Sequence, residues 1–396
     1  MTAGPGSTRS YGWRLGSIGG IPIYLGRSWP IIGLVVVLTF GPAVPTPRGE
    51  RGGAFGFTVA IAYAVLLLLS VLAHEAAHAL AARRFGFQVD RVVADLWGGH
   101  TVYNSTSSRP GASAGIAIAG PATNLLIGAL GYACQGFAPD GVVGLLLGAV
   151  TWTNVFVGVF NLLPGLPLDG GFLVDALVWK VTGDRNRGLI VAGWLGRILT
   201  VCVLLWFVVR PLLVGGQPSL LTIIWGALIG AFLWVGATNA IRAGTSRRLI
   251  QSVPLAQVLR PALVVGAREP VASVLARVTP ALGPVWVPAG GEAQATPPPA
   301  VVVLGDGGRP VGLVDVDAAR TIEPVRSAQV PVEAVVSRQP DGWVVPMPSR
   351  DADISAVVSA IAMREGPVPT TLLAMTSSGE VLGTVSLADL NAAFSR

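Results

Sequence analysis

"VLAHEAAHALAARRF", residues 71–85, sets two histidines and a glutamate inside a run otherwise dominated by alanine, leucine and valine. His74 and His78 are four residues apart, so a helix presents both on one face, where two imidazoles reach a single zinc ion with Glu75 beside them as a base for water. The surroundings decide what kind of helix this is. Apolar sequence reaches back to about residue 57, long enough to cross a bilayer. A plain pair of surface histidines has no surface to occupy at that depth, and ionisable groups in a membrane segment mark function by default.

The rest of the chain supports a membrane reading. Of 396 residues, 52% are hydrophobic and 12% charged, far from the balance of a soluble enzyme. Apolar stretches at about 29–44, 57–82, 113–133, 141–163, 195–214 and 219–240 predict six transmembrane helices, the first short and carrying Pro30 and Gly33. Residues 1–27 contain no long apolar run ahead of a small-residue cleavage site, so the first apolar segment is expected to stay as an anchor.

Arginine sets the expected orientation. Arg9, Arg14 and Arg27 precede the first helix, Arg83, Arg84, Arg91 and Arg109 follow the second, and Lys180, Arg185 and Arg187 follow the fourth, against Arg48, Arg51 and Arg210 on the other side. A multi-pass cell-membrane protein with both termini cytoplasmic follows. The net charge of +6 is a membrane-flank signal, since residues 1–243 hold fifteen basic against eight acidic side chains while residues 244–396 hold twelve against thirteen. No basic run resembles a nucleic-acid patch. Cys134 and Cys202, the only cysteines, lie in apolar segments, which leaves metal binding to His, Asp and Glu.

A catalytic zinc needs a third protein ligand and an open position. His100, Asp95, Asp169 and Asp175 are the candidates near membrane level. Asp169 lies in "NLLPGLPLDGG", residues 161–171, where Pro164 and Pro167 break the helix, and broken helices at membrane depth line cavities or are buried in protein. Asp169 could instead cap a short helix starting near Gly170. The two prolines and Asn161 ahead of it favour the ligand role.

"HEAAH" on the second apolar helix, "GPATN" at 120–124 on the third and "NLLPGLPLDGG" after the fourth resemble, in order and placement, the three hallmark motifs of the site-2 protease family of intramembrane zinc metalloproteases. The resemblance covers about residues 11–240 and implies one Zn2+ held by His74, His78 and Asp169. It further implies Glu75 as general base and Asn161 close to the metal, holding substrate or the oxyanion. "FQVDRVVADLWGGHTVYNS", residues 87–105, resembles the β-segment with which the family pairs an unwound substrate strand, departing from it at His100. His100 is read as a loop histidine, a substrate contact or a pH-sensitive plug. Asn124 of "GPATN" is read as interhelical glue or as an active-site group. Arg197 is expected at the cytoplasmic end of its helix. Counting ~1.5 Å per residue from the motif to Arg83 puts the metal roughly 10 Å inside the cytoplasmic boundary, so water is expected to enter from that side.

After "RAGTSRRLI" the composition turns to short strands and glycine turns, a soluble α+β region with an internal repeat. "VPLAQVLR" matches "VPVEAVVS" and "GRPVGLVDVDAA" matches "GEVLGTVSLADL", dividing the region at roughly 251–320 and 330–394, with "VPAGGEAQATPPPA" as a surface loop. The two repeats resemble a pair of CBS domains, which dock face to face and bind adenine nucleotides. The family's ribose-binding pattern is kept as Gly383, Ser386 and Asp389, whereas the first repeat has Gly312, Asp315 and Ala318. Ser386 and Asp389 could equally cap the last helix. A homodimer through this region is a further expectation of the resemblance.

The domain plan is therefore an N-terminal segment (1–27), a six-helix intramembrane metalloprotease domain (28–243) and a CBS pair. The expected activity is cleavage of transmembrane segments of regulatory proteins. The rivals are a catalytically silent membrane scaffold and a transporter, and the single broken helix speaks against the paired repeats of a transporter.

Overall fold

Long apolar runs satisfy their backbone groups in a bilayer only as helices, and in the computed structural model the first 245 residues are built mainly of them. The structure describes residues 12–44, 53–95, 98–104, 109–217, 219–278, 299–364 and 368–394, with 95 and 98–104 described by backbone alone. The chain divides into two units, Met1–Thr245 and Ser246–Arg396.

Among the described residues, five helices are long and apolar enough to span a membrane: α2 (Gly53–Arg84), α3 (Pro110–Gln135), α4 (Val142–Asn161), a helix running Arg185–Leu213 and α8 (Leu220–Ser252). The first apolar segment is α1 (Trp29–Phe40) with one tight turn added, 15 residues in all. Between α4 and the Arg185 helix lies the 14-residue α5 (Asp169–Thr182). The Arg185 helix is α6 (Arg185–Leu204), a wider π-type turn at Leu205–Val209 and α7 (Arg210–Leu213). Pro211 explains the widening, because it offers no N–H to the carbonyl of Phe207 four residues back. The helix begins ten residues before the apolar run at 195, since Arg185–Trp194 is helical but not lipid-like.

Small residues set the helix contacts, as they do where lipid removes the hydrophobic drive to associate. Gly128 and Gly131 of α3 face Val155 and Thr151 of α4, and Gly193 and Gly196 of α6 face α8 at Ile241 and Ala237. Arg197 stacks between Trp194 and Trp234, its guanidinium 4.8 and 4.9 Å from the ring centres. It also donates to Thr238 Oγ1 at 3.2 Å.

A four-stranded sheet, ordered β1 (Trp13–Ile18), β2 (Ile21–Leu25), β3 (Gln88–Asp95) and β4 (Gly98–Asn104), packs against α2. Ile21, Ile23 and Val92 bury against Ala79, one residue past His78. Gly19 and Gly20 turn between β1 and β2 with φ of 58° and 84°, and Arg83 donates to the Gly19 carbonyl. The left-handed backbone there explains the glycine pair. β3 and β4 run antiparallel, with Val93 opposite His100.

The second unit holds two four-stranded sheets. One is β6 (Ala262–Gly266), β7 (Ala300–Leu304), β8 (Pro310–Val314) and β9 (Val336–Arg338); the other is β10 (Val344–Pro346), β11 (Thr371–Met375), β12 (Val381–Ser386) and β5 (Leu259–Arg260). Among the described residues they are accompanied by helices α9 (Val271–Val278), α10 (Val316–Arg320), α11 (Pro324–Ser327), α12 (Ser355–Ala362) and α13 (Leu387–Phe394). The sheets do not follow the sequence repeats. β5, from the first repeat, pairs with β12 of the second, and β9, from the second, pairs with β8 of the first. The "VPAGGEAQATPPPA" loop lies outside the described residues apart from its last two positions.

Candidate metal centre

His74, Glu75 and His78 sit in the last third of α2 with 8, 6 and 8% of their surface exposed. The imidazoles meet edge to face, ring centres 4.7 Å apart, with their Nε2 atoms 3.0 Å from one another. Asp169 completes the group from the first residue of α5: Oδ2 lies 3.2 Å from His74 Nε2 and Oδ1 3.4 Å from His78 Nε2. Asp169 is therefore not a cap. The capping position of α5 is Leu168, with no side-chain bond to the helix start.

Backbone packing brings Asp169 there. α4 ends at Asn161, and the chain from Leu162 to Leu168 folds tightly enough that a Cβ at Gly170 would run into the carbonyls of Leu162 and Leu163. Leu166 N–H donates to the Ala192 carbonyl at 3.1 Å, tying the turn to α6. A Cβ at Gly165 would lie 2.7 Å from Gly196 Cα, so the two chains touch backbone to backbone.

The hydrogen bonds at the far side of each ring define its chemistry. His78 Nδ1–H donates to the Ile116 carbonyl at 2.7 Å, and His74 Nδ1–H donates to Asn124 Oδ1. Each ring then presents a bare lone pair at Nε2. With both rings neutral, two lone pairs and a carboxylate converge. A metal cation satisfies such an arrangement, and the ligand atoms, all within 4.8 Å of one another, suit one ion with bonds of ~2 Å. Nitrogen and oxygen donors of this kind, with rings oriented by outer acceptors, are what zinc takes. Gly120 supplies the last element, because any Cβ there would lie 2.5 Å from His74 Nε2 and overlap His78 Nε2 as well.

A cavity of about 390 Å³ opens beside this group, lined by the polar His74, Glu75, Asn161 and Asp169 and by the apolar Leu67, Val71, Phe160, Leu228 and Phe232. The structure brings together the five residues that the resemblance points to: His74, Glu75, His78, Asn161 and Asp169. Asp175 is apart from them, fully buried against Gly188 of α6. The side chains of Asp95 and His100 lie outside the described residues.

Asn124 bridges two helices beside the cluster. It touches a ring of the cluster, and its Nδ2 donates to Asn154 Oδ1 of α4 at 2.7 Å. Asn154 and Ser70, linked at 3.0 Å, were not visible as site residues. The available signal was a lone amide within the apolar run "TWTNVFVG", residues 151–158.

In the second unit Asp389 is engaged by Arg260, Nε to Oδ2 at 2.5 Å and Nη2 to Oδ1 at 2.6 Å. Ser386 Oγ accepts from the N–H of Ala388 at 3.2 Å, a local turn at the helix start. Both groups expected to meet a ribose thus have partners within the chain.

Residues 62–140 and 138–205 match the family model described as Peptidase family M50, across the helices that carry the cluster. Over these residues the helical unit is similar to peptidase family M50. A relative in Synechocystis sp., named "Putative zinc metalloprotease sll0528", is 34% identical over 236 residues, 58% of this chain and 59% of that protein. The chain spans about three fifths of the length of the first curated relatives it matches. Among solved structures, the site-2 protease from Methanocaldococcus jannaschii is similar with a TM-score of 0.42 and 26% identity, over 58% of this chain and 94% of that one. A CBS domain protein from Streptococcus pneumoniae is similar with a TM-score of 0.24 and 14% identity, over 38% of this chain and 94% of that one.

Proposed function

We propose that the helical unit is an intramembrane zinc endopeptidase that cuts transmembrane segments of regulatory proteins. The observation that carries this is the convergence of two imidazole Nε2 atoms and the Asp169 carboxylate beside a cavity within apolar helices. His74, His78 and Asp169 would hold the ion. Bound zinc lowers the pKa of water and polarises a carbonyl. Glu75 takes the proton of the attacking water on its carboxylate and passes it to the amine that leaves as the C–N bond breaks. Asn161 faces the same space with an amide able to donate to the developing oxyanion. β4 pairs with β3 alone among the described strands, so its other edge is suited to an extended substrate strand.

Cleavage of a transmembrane peptide by the full-length chain in detergent tests the reading. Activity should be abolished by a zinc chelator and return on adding zinc. Binding of the peptide without cleavage, zinc being present, would favour the silent scaffold.

An adenine nucleotide at the second unit is a subordinate part of the proposal. Its ribose would displace Arg260 from Asp389 and leave the guanidinium free for a phosphate. Calorimetry on the full-length chain with ATP, ADP and AMP should show binding that Asp389→Ala weakens by about tenfold, the scale of a lost charge-assisted bond. No heat from any of the three would remove the nucleotide from the account.

A further inference from the structure

The two histidines have the same tautomer, reached by different routes. His78 reads a main-chain carbonyl directly, that of Ile116. His74 meets only the Asn124 side chain, and an amide can point either end at a ring. Something must settle which end.

Asn154 does so through the direction of its own bonds. Its Nδ2 donates to the Val150 carbonyl at 2.9 Å and to Ser70 Oγ at 3.0 Å, and a main-chain carbonyl only accepts. The Asn154 amide therefore cannot turn over without placing oxygen against oxygen. Its Oδ1 must face Asn124, which answers with Nδ2 at 2.7 Å and so presents Oδ1 to His74. An oxygen there requires hydrogen on Nδ1 and leaves Nε2 bare. The Val150 carbonyl is thus transmitted through two amides to the ring. Asn124 and Asn154 are each 1% exposed and Ser70 8%, so their orientation is set mainly by one another and by the Val150 carbonyl.

We propose that Asn154, which touches neither ion nor ring, is a positioning residue that fixes the tautomer of His74 through Asn124 and thereby sets zinc affinity. With Asn154 gone, the Asn124 amide is free to turn its NH2 toward the ring, which favours hydrogen on Nε2, where a metal must bind.

The inference rests on the zinc reading of His74, His78 and Asp169, and the experiment separates the two. Zinc affinity of the full-length protein is measured by chelator competition, together with the melting temperature of the metal-free form. Asn154→Leu should weaken zinc by about 10- to 100-fold, the range for loss of a ligand's outer partner. Asn154→Asp should stay near wild type, because a buried carboxyl that holds its proton donates O–H to the Val150 carbonyl and keeps an accepting oxygen toward Asn124. A purely structural role would lower the melting temperature of the metal-free protein in both variants and leave the competition curve of the folded protein in place. Wild-type affinity in Asn154→Leu, or equal losses in Leu and Asp, overturns the proposal. Failure of the wild-type protein to bind zinc at all overturns the metal reading and this one with it.

Discussion

Glu75→Gln should cut turnover of a transmembrane substrate by roughly 10²- to 10⁴-fold, the usual contribution of a general base, while leaving zinc bound. The amide keeps the size and most of the packing of a side chain that is 6% exposed at the cavity wall, but it cannot take a proton. Glu75 also stands outside the cluster of three ligand atoms, so the metal loses nothing by the change. Asp169→Ala is the contrast, since it removes one of those atoms and should cost metal and turnover together. Metal analysis beside a cleavage assay on both variants decides the matter. Near-normal turnover in Glu75→Gln, or zinc retained in Asp169→Ala, would remove the role assigned to that residue.

Gly120→Ala should be as damaging as deleting a ligand, although Gly120 offers no ligand atom. A methyl group on this residue would occupy the space between the two Nε2 atoms, 2.5 Å from that of His74 and 2.6 Å from its Cε1. Both rings are fixed at their Nδ1 ends by Asn124 and Ile116, so neither can swing away without breaking a buried bond. α3 would have to retreat, yet it is packed against α4 through Gly128 and Gly131. Zinc affinity is expected to fall by about 100-fold or more, at or beyond the top of the range for disturbing a ligand's surroundings. Chelator competition on Gly120→Ala measures it. The same change at Gly136, whose Cβ would meet nothing within 4 Å, serves as the control and should be silent.

The chemistry was legible in the sequence where the membrane made it costly. Histidine and glutamate in an apolar helix, or two prolines ahead of an aspartate, stand out because lipid tolerates them only for a reason. Gly120 was legible as part of a motif but not as a space-filling constraint, because its role depends on where α3 crosses α2, and that is a tertiary fact. Asn154 and Ser70 escaped for a related cause, since one amide and one hydroxyl in apolar runs give no hint of which helix they answer. Helix ends were read where hydropathy ended, so α6 came out short at its polar start and α8 at its end beyond residue 240. The orientation of Asp389 toward Arg260, 129 residues earlier, is likewise invisible to any local pattern.

The reciprocal exchange of β5 and β9 between the two sheets bears on how this region can be inherited. The stretch copied to make the repeats is not the stretch that closes a sheet, because each copy carries an edge that belongs to its sibling. A gene cut between the copies would yield two halves, each with an uncovered margin and a strand left without a mate. Neither half is therefore a transferable module. The two sheets also share a buried cluster at Val302, Trp343 and Leu373, which a cut between the copies would open to water.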